Sequence, residues 1–312
     1  MDSKGIYVEL PIRTSLDEIW EHTQNPDLHE RWDLRFTSIE YLPKTSETDP
    51  QRFLYATRIG FGLQISGEGE SMGTRQTSGG EASSGLRFWS KHPLSLIRTG
   101  SGYWKYIPDG ETIRFITWYD YTTRFGLFGK WFDLLVFRPL LGWATAWSFD
   151  ALRLRLEEAI RPGESIRRMG LSAFTRITLA FIWIYQGLVP KLLFPETGEL
   201  EIMRATGLFD GSEVIWLSAL GIGEILFGIL FLFLGGSKWL QAINILALIL
   251  VFGGAILQPV LLIAPFNPVT LNLAMIALSV VNLAMIDQTP SARRCLRRPR
   301  RHDINLSNGS RI

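Results

Sequence analysis

From Gly5 to Arg13 the apolar residues Ile6, Val8, Leu10 and Ile12 fall on every second position, the period of a strand with one buried face. The period then lengthens. Ser15 and Glu18 have capping-box spacing for a first helix, and Asn25-Pro26 supplies an N-cap and first-turn proline for a second short helix running to Trp32. Strand-like runs follow near 37–42, 52–58, 62–70, 86–91, 96–106 and 112–121, separated by turns containing Gly, Ser or Pro. A long apolar segment then occupies 128–160, kinked or broken near Pro139, which has no N–H to donate.

Beyond residue 170 the polar phase largely disappears. The stretch LAFIWIYQGLVPKLLFPETG (179–198) opens a series of four apolar segments, at about 172–194, 214–234, 239–263 and 269–286. Each approaches the ~20 residues that cross a bilayer. The expected division is a soluble domain over 1–160, a linker over 161–170, a membrane domain over 171–288 and a basic tail over 289–312. The stretch WFDLLVFRPLLGWATAWSF (131–149) could almost pass for another span. Asp133 and Arg138-Pro139 interrupt it, and a fifth crossing would break the charge pattern, so it reads as a helix packed on the sheet. A place at the membrane surface is the rival reading, because Trp131, Trp143 and Trp147 suit an interface.

Charge fixes an expected orientation. Arg161, Arg167, Arg168 and Arg176 precede or open the first span, Lys238 lies between the second and third, and the six arginines of 293–301 follow the fourth. The loop after the first span instead carries Glu196, Glu199, Glu201, Asp210 and Glu213. The positive-inside rule then places both termini in the cytoplasm, in a multi-pass protein of the cell membrane. The start MDSKGIYVEL has no apolar signal core, which agrees with that side. A formal charge of +2 over 312 residues argues against nucleic acid as a partner. The run RRCLRRPRR suits a membrane flank or a solvated tail, and Cys295 within it is an inert thiol or an acylation site. One cysteine allows no intrachain disulfide, and the four histidines have no metal-ligand spacing, so no metal is expected.

Polar side chains inside the spans are the candidate chemistry of the membrane half. Glu224 falls mid-span, and Gln186, Gln258 and Asn272 lie roughly 6 to 10 Å outward at ~1.5 Å per residue. With Lys191 and Asn267 these form a candidate polar site; the alternative is interhelical glue without a ligand. Asn244, Asn282 and Arg176 fall in the inner half. Gly221, Gly223 and Gly228 would let neighbouring backbones approach.

YQGLVPKLLF (185–194), GIGEILFG (221–228) and APFNPVTLNLAMIAL (264–278) resemble the motifs of the DoxX-like family of small four-helix membrane proteins. The resemblance implies that Gln186, Pro190, Lys191, Glu224, Pro265, Asn267, Pro268 and Asn272 are characteristic positions. It also implies a link to quinone and to a redox partner protein, the family being named for a subunit associated with a thiosulfate:quinone oxidoreductase.

In the soluble half, the element order and ELPIRTSLDEIWEHTQNPDLHERWDLRFTSIEYL (9–42) resemble the polyketide cyclase branch of the SRPBCC, or START-like, superfamily. The implied fold is an α+β helix-grip domain, an antiparallel sheet wrapping a long C-terminal helix around an apolar cavity, followed by the all-α four-helix transmembrane bundle. Trp32, Phe53, Tyr55, Trp89, Tyr103, Phe115 and Trp118 are the candidate lining residues, with ordinary core packing as the alternative for each. Glu68 and Glu70 share a strand face and read as solvent-side charge. No catalytic triad, P-loop or dinucleotide fingerprint occurs, and catalytic residues are not identified.

Three functions stay open: a membrane-anchored protein holding an apolar or lipid-like small molecule, a membrane component of a quinone-linked oxidoreductase system, and a small transporter or proton path centred on Glu224. No resident cofactor is expected beyond a quinone. The bilayer is the main partner, and a homodimer is allowed.

Overall fold

The computed structural model describes residues 5–60, 62–77, 79–196, 198–205, 207, 209–256 and 267–299. The described residues form two compact units: one takes in Gly5 to Ser165 together with Pro290 to Pro299, and the other lies within Ile166–Thr289.

In the first unit, seven antiparallel strands form one sheet: β1 (Ile6–Ile12), β2 (Ser38–Tyr41), β3 (Arg52–Gly60), β4 (Leu63–Gln76), β5 (Ala82–Trp89), β6 (Ile97–Asp109) and β7 (Thr112–Thr123). Their order is β1-β7-β6-β5-β4-β3-β2, a meander closed by pairing the first strand with the last. Between β1 and β2 run α1 (Leu16–Gln24) and α2 (Pro26–Trp32). Ser15 Oγ accepts the Glu18 N–H at 3.2 Å and Asn25 Oδ1 accepts the Asp27 N–H at 3.0 Å, so both expected caps form.

After β7 come α3 (Gly126–Phe132), a π-helical turn (Asp133–Phe137) and α4 (Arg138–Glu158). The π-turn stands just before Pro139, where the missing N–H cannot continue the α-ladder, and the Arg138 N–H reaches the Asp133 carbonyl instead. Helix α4 is held by the sheet's inner face: Phe149 stacks on Phe115 at 4.3 Å, and Phe115 on Tyr106 at 5.0 Å. The 131–149 segment therefore divides. Its later half is buried against the sheet, while Trp131, Leu134 and Leu135 are exposed.

The described residues from Pro290 to Pro299 cluster with this unit. Leu296 exchanges two backbone hydrogen bonds of 2.9 Å with Glu9, which covers part of the β1 edge. Cys295 is buried, and its thiol donates to the Ala146 carbonyl at 3.2 Å.

The second unit contains most of α5 (Pro162–Leu188), a π-turn (Val189–Leu193), α6 (Glu199–Ala205), α7 (Glu213–Leu234), α8 (Lys238–Ile256) and α9 (Pro268–Met285). Residues 162–170, expected as linker, are helical. Among the described residues, three helical stretches are long and apolar enough to cross a membrane: Pro162–Leu193, Glu213–Leu234 and Pro268–Met285. The remainder of the expected third span, 257–263, lies outside the described residues, and α8 up to Phe252 is apolar but shorter. Glycines set the α5–α7 distance: a Cβ on Gly187 would come within 2.3 Å of the Gly221 carbonyl oxygen, and one on Gly228 within 2.8 Å of the Ala180 carbonyl oxygen. At one end of the unit Arg168 donates to Gln288 at 2.5 Å and Lys238 pairs with Asp287 at 2.7 Å, which brings together the start of α5, the start of α8 and the residues after α9.

Candidate functional site

The inner face of the sheet, α1, α2 and the α3–α4 segment enclose a cavity of about 1380 Å³. Phe53 and Tyr55 lie on its β3 wall because β4 presents glycine opposite each: a Cβ on Gly69 would meet the Phe53 ring, and one on Gly67 the Tyr55 ring, both at 2.3 Å. Phe88 adds a third ring over Gly100 in the same way. Burial pushes the Tyr55 hydroxyl up to about 12, so it stays protonated.

The other expected lining residues sit elsewhere. Trp32 and Phe115 are buried in the core beside the cavity. Trp118 and Trp89 are on the sheet's outer face, since Trp118 pairs with Tyr103 and Trp89 with Glu68 in register. Tyr103 borders the cavity from behind, its ring stacked on Trp118 at 6.0 Å. Phe88, one residue before Trp89, is the inward position, and the strict alternation of a strand explains the displacement. Glu68 and Glu70 pair with Arg52 and Arg87.

A polar cluster that the sequence reading overlooked occupies the wall after α2. Asp33 is wholly buried; its Oδ1 accepts the Arg35 N–H at 3.0 Å and Nε–H at 2.9 Å, while Oδ2 accepts Arg35 Nη2 at 2.6 Å and lies 3.0 Å from His29 Nε2. Burial alone would raise the Asp33 carboxyl, but the Arg35 guanidinium and the His29 contact outweigh it and hold the group far below the usual carboxylate range. Arg35 lies over the rings of Phe36 and Tyr119 at 5.4 and 5.5 Å. The His29 ring packs among Trp32, Phe36 and Trp104. Ser148 on α4 accepts the Leu34 N–H at 2.9 Å, Thr57 donates to the Arg35 carbonyl, and Tyr119 shares a 2.7 Å hydrogen bond with Thr145. Arg35, His29 and Tyr119 all line the cavity, as do the charged Lys44, Asp49, Arg58 and Glu70 among its many apolar lining residues.

In the membrane unit, Lys191 is buried on the π-turn after α5. Its ammonium reaches the Gln186 carbonyl at 3.2 Å, Glu199 at 2.8 Å and Glu224 at 2.9 Å. Lys191 thus brings Glu224, Glu199 and the Gln186 backbone to one place. Asn267 Oδ1 instead caps α9 by accepting the Thr270 N–H at 2.9 Å. Asn272 is buried one turn later, and Gln258 lies outside the described residues. A second network holds the helices together elsewhere: Trp183 donates to Asn244 at 2.8 Å, Asn244 to Ser279 at 2.7 Å, Ser172 to Asn282 at 2.9 Å, and Asn282 and Gln241 to the Gly235 carbonyl at 3.1 and 2.8 Å. Among the described residues no His, Cys, Asp or Glu cluster is suited to a metal ion.

The architecture is that of a membrane protein in which a helix-grip unit is joined to an apolar helical unit. Residues 180–280 match the model of the DoxX-like family. The chain is 47% identical over 230 residues to the uncharacterized membrane protein YndG of Bacillus subtilis (strain 168), covering 73% of this chain and 82% of that one. The chain belongs to the DoxX-like family. Among solved structures it is similar to a STAR-related lipid transfer protein from Xanthomonas axonopodis, at 14% identity and a TM-score of 0.38 over 48% of this chain and 84% of that one. It is also similar to the Zhui aromatase/cyclase from Streptomyces, at 13% identity and a TM-score of 0.37 over 50% and 97%.

Proposed function

We propose that this membrane protein is a binding module whose helix-grip unit holds an apolar or lipid-like molecule bearing one polar group. The observation that carries the reading is the 1380 Å³ cavity, lined largely by aromatic and aliphatic side chains, into which the linked cluster of Arg35, His29 and Tyr119 brings hydrogen-bonding groups, with Lys44, Asp49, Arg58 and Glu70 also on the lining. Ligand pockets commonly measure ~300–1000 Å³, so this one suits a long-chain or multi-ring occupant. Arg35 is permanently charged and shares its charge with Asp33, which favours a hydrogen-bonding or partly charged head over a full dianion. The test is solvent extraction of the purified protein and mass spectrometry. A stoichiometric apolar passenger that is depleted in Arg35→Met supports the reading; an empty cavity in the wild-type protein, with no uptake of a fluorescent fatty acid, overturns it.

The same reading takes the protein as four-crossing with both ends cytoplasmic. Ser165 and Pro290 belong to one compact unit, so a chain that leaves for the membrane after the first must be back on the same side by the second. This supports an even number of crossings, with α8 taken as the fourth. Arg167, Arg168 and Lys238 favour the cytoplasm for that side. Alkylation of an Asp210→Cys variant from outside intact cells tests it; labelling only after lysis refutes it.

A second reading draws on the cluster of buried Lys191 with the half-buried Glu199 and Glu224, whose charges suit a proton path or a quinone-linked partner role. Quinone reduction in membranes lacking the protein, and flux in proteoliposomes, test those two forms.

A further inference from the structure

The α3 segment presents an apolar stripe that the described residues leave exposed. Leu127, Phe128, Trp131, Leu134 and Leu135 recur at helical spacing and are between 58% (Leu134) and 76% (Leu127) exposed. Exposure of this extent on five consecutive stripe positions is unlike the scattered apolar residues of an ordinary surface. The opposite side of the same segment is cavity wall: Phe132, Val136, Phe137 and Leu140 line the pocket. A single layer of helix therefore separates the cavity from the outside.

The segment is built to hold this pose. Phe125 and Gly126 both take left-handed backbone, at φ 66° and 58°, and a Cβ on Gly129 would lie 1.8 Å from the Arg124 carbonyl oxygen, so the chain turns tightly into α3. Asp133 is buried, accepting from the Tyr121 hydroxyl at 2.6 Å and from Arg138 Nε at 2.9 Å, which pins the π-turn to the sheet. Arg124 donates to the carbonyls of Ser90 and His92, and its N–H to Leu96 at 2.8 Å, tying to the start of α3 a loop whose Leu94 is also exposed and also lines the cavity.

We infer that α3 and its π-turn insert into the bilayer surface, and that the cavity exchanges its occupant with the lipid leaflet through this wall. This rests on the proposed ligand-binding reading. The bilayer is the occupant that fits, for two reasons. The protein carries its own membrane spans, and only Ala159–Arg161 separates α4 from α5, so lipid is always within the unit's tether. The stripe also combines Trp, Phe and Leu with one exposed lysine, Lys130, and no acid before the buried Asp133, the composition of an interfacial helix meeting anionic headgroups.

The experiment uses the full-length protein in phosphatidylcholine/phosphatidylglycerol vesicles. Single cysteines at Phe128→Cys and Leu135→Cys, with Glu111→Cys in the exposed β6–β7 turn as control, are placed in a Cys295→Ala background and labelled with an environment-sensitive fluorophore. Insertion predicts that nitroxide-bearing lipid quenches the 128 and 135 labels by about twofold or more while aqueous iodide quenches only the control. Iodide quenching equal to that of the control overturns the inference. So does shielding from both quenchers, which would mean that a second copy or another protein covers the stripe. Lipid quenching with an empty cavity would leave the insertion standing and refute the ligand reading; a filled cavity with iodide-accessible labels would do the reverse.

Discussion

The Asp150 carboxylate holds Arg294, 144 positions further along the chain: Oδ2 accepts Arg294 Nη1 at 2.6 Å and the Ser291 N–H at 2.7 Å, while Oδ1 accepts Arg153 Nε at 2.7 Å. The residues that follow the last span are thereby fastened to the helix at the centre of the helix-grip unit. Asp150 is fully buried, so its removal would leave two guanidinium groups short of a partner. We expect Asp150→Ala to cost about 3 kcal/mol, in the range for breaking a buried ion pair. Thermal unfolding followed by tryptophan fluorescence measures it, and a loss indistinguishable from zero would mean that the clasp contributes nothing.

Cys295 provides a chemical readout of the same clasp. Burial, with the Asp150 charge adding to it, pushes its thiol up to about 12. A raised folded value means that this contribution to stability is complete below the ordinary thiol range of ~8.5 and is lost as pH climbs from there toward 12. Native protein at pH 8 should react with iodoacetamide on the order of a thousandfold more slowly than the urea-unfolded chain. Comparable rates would show that the segment is not docked.

Asp33 has the opposite sign. Its folded value is held down, so its contribution is present above the unfolded value of ~3.9 and disappears as pH falls through the folded one. Stability of the helix-grip unit should therefore begin to decline near pH 4, and Asp33→Asn should flatten that acid limb while lowering stability at pH 7 by about 3 kcal/mol, because Arg35 remains buried. Melting curves from pH 7 to pH 3 on both proteins decide the matter, and parallel declines would count against the assignment.

What could be read in advance divides along physical lines. The order of strands and helices was legible because period, caps and turns are local signals, as Ser15, Asn25-Pro26 and the Ile6–Ile12 alternation show. The Asp33–Arg35 pair was not, because Trp32, Leu34 and Phe36 alternate with it and charged alternates ordinarily face water. Here Asp33 is buried and Arg35 packs over Phe36 and Tyr119. Phe88 was displaced to Trp89 by one residue, enough to exchange faces of a strand. The return of Leu296 to Glu9 leaves no periodic trace, since one bridge between distant positions has no pattern. Glu199 read as loop charge until the short α6 brought it to Lys191.

That last contact sets an asymmetric prediction. Lys191 serves two carboxylates, so Lys191→Met leaves Glu199 and Glu224 facing each other without a cation, whereas Glu224→Gln leaves the ammonium with Glu199 and the Gln186 carbonyl. Breaking a partly buried pair from the lysine side should cost about 3–5 kcal/mol, and from the glutamate side about 1 kcal/mol, because a charged partner remains and the amide can still accept a hydrogen bond. If the two groups act as a pair, Lys191→Met/Glu224→Gln will be more stable than the single Lys191→Met, since the double change removes the repulsion that the first creates. Unfolding in mixed micelles gives the four stabilities of the cycle. A coupling energy below about 0.5 kcal/mol would place the two residues outside each other's influence, and with it remove the basis for a charge cluster in the membrane unit.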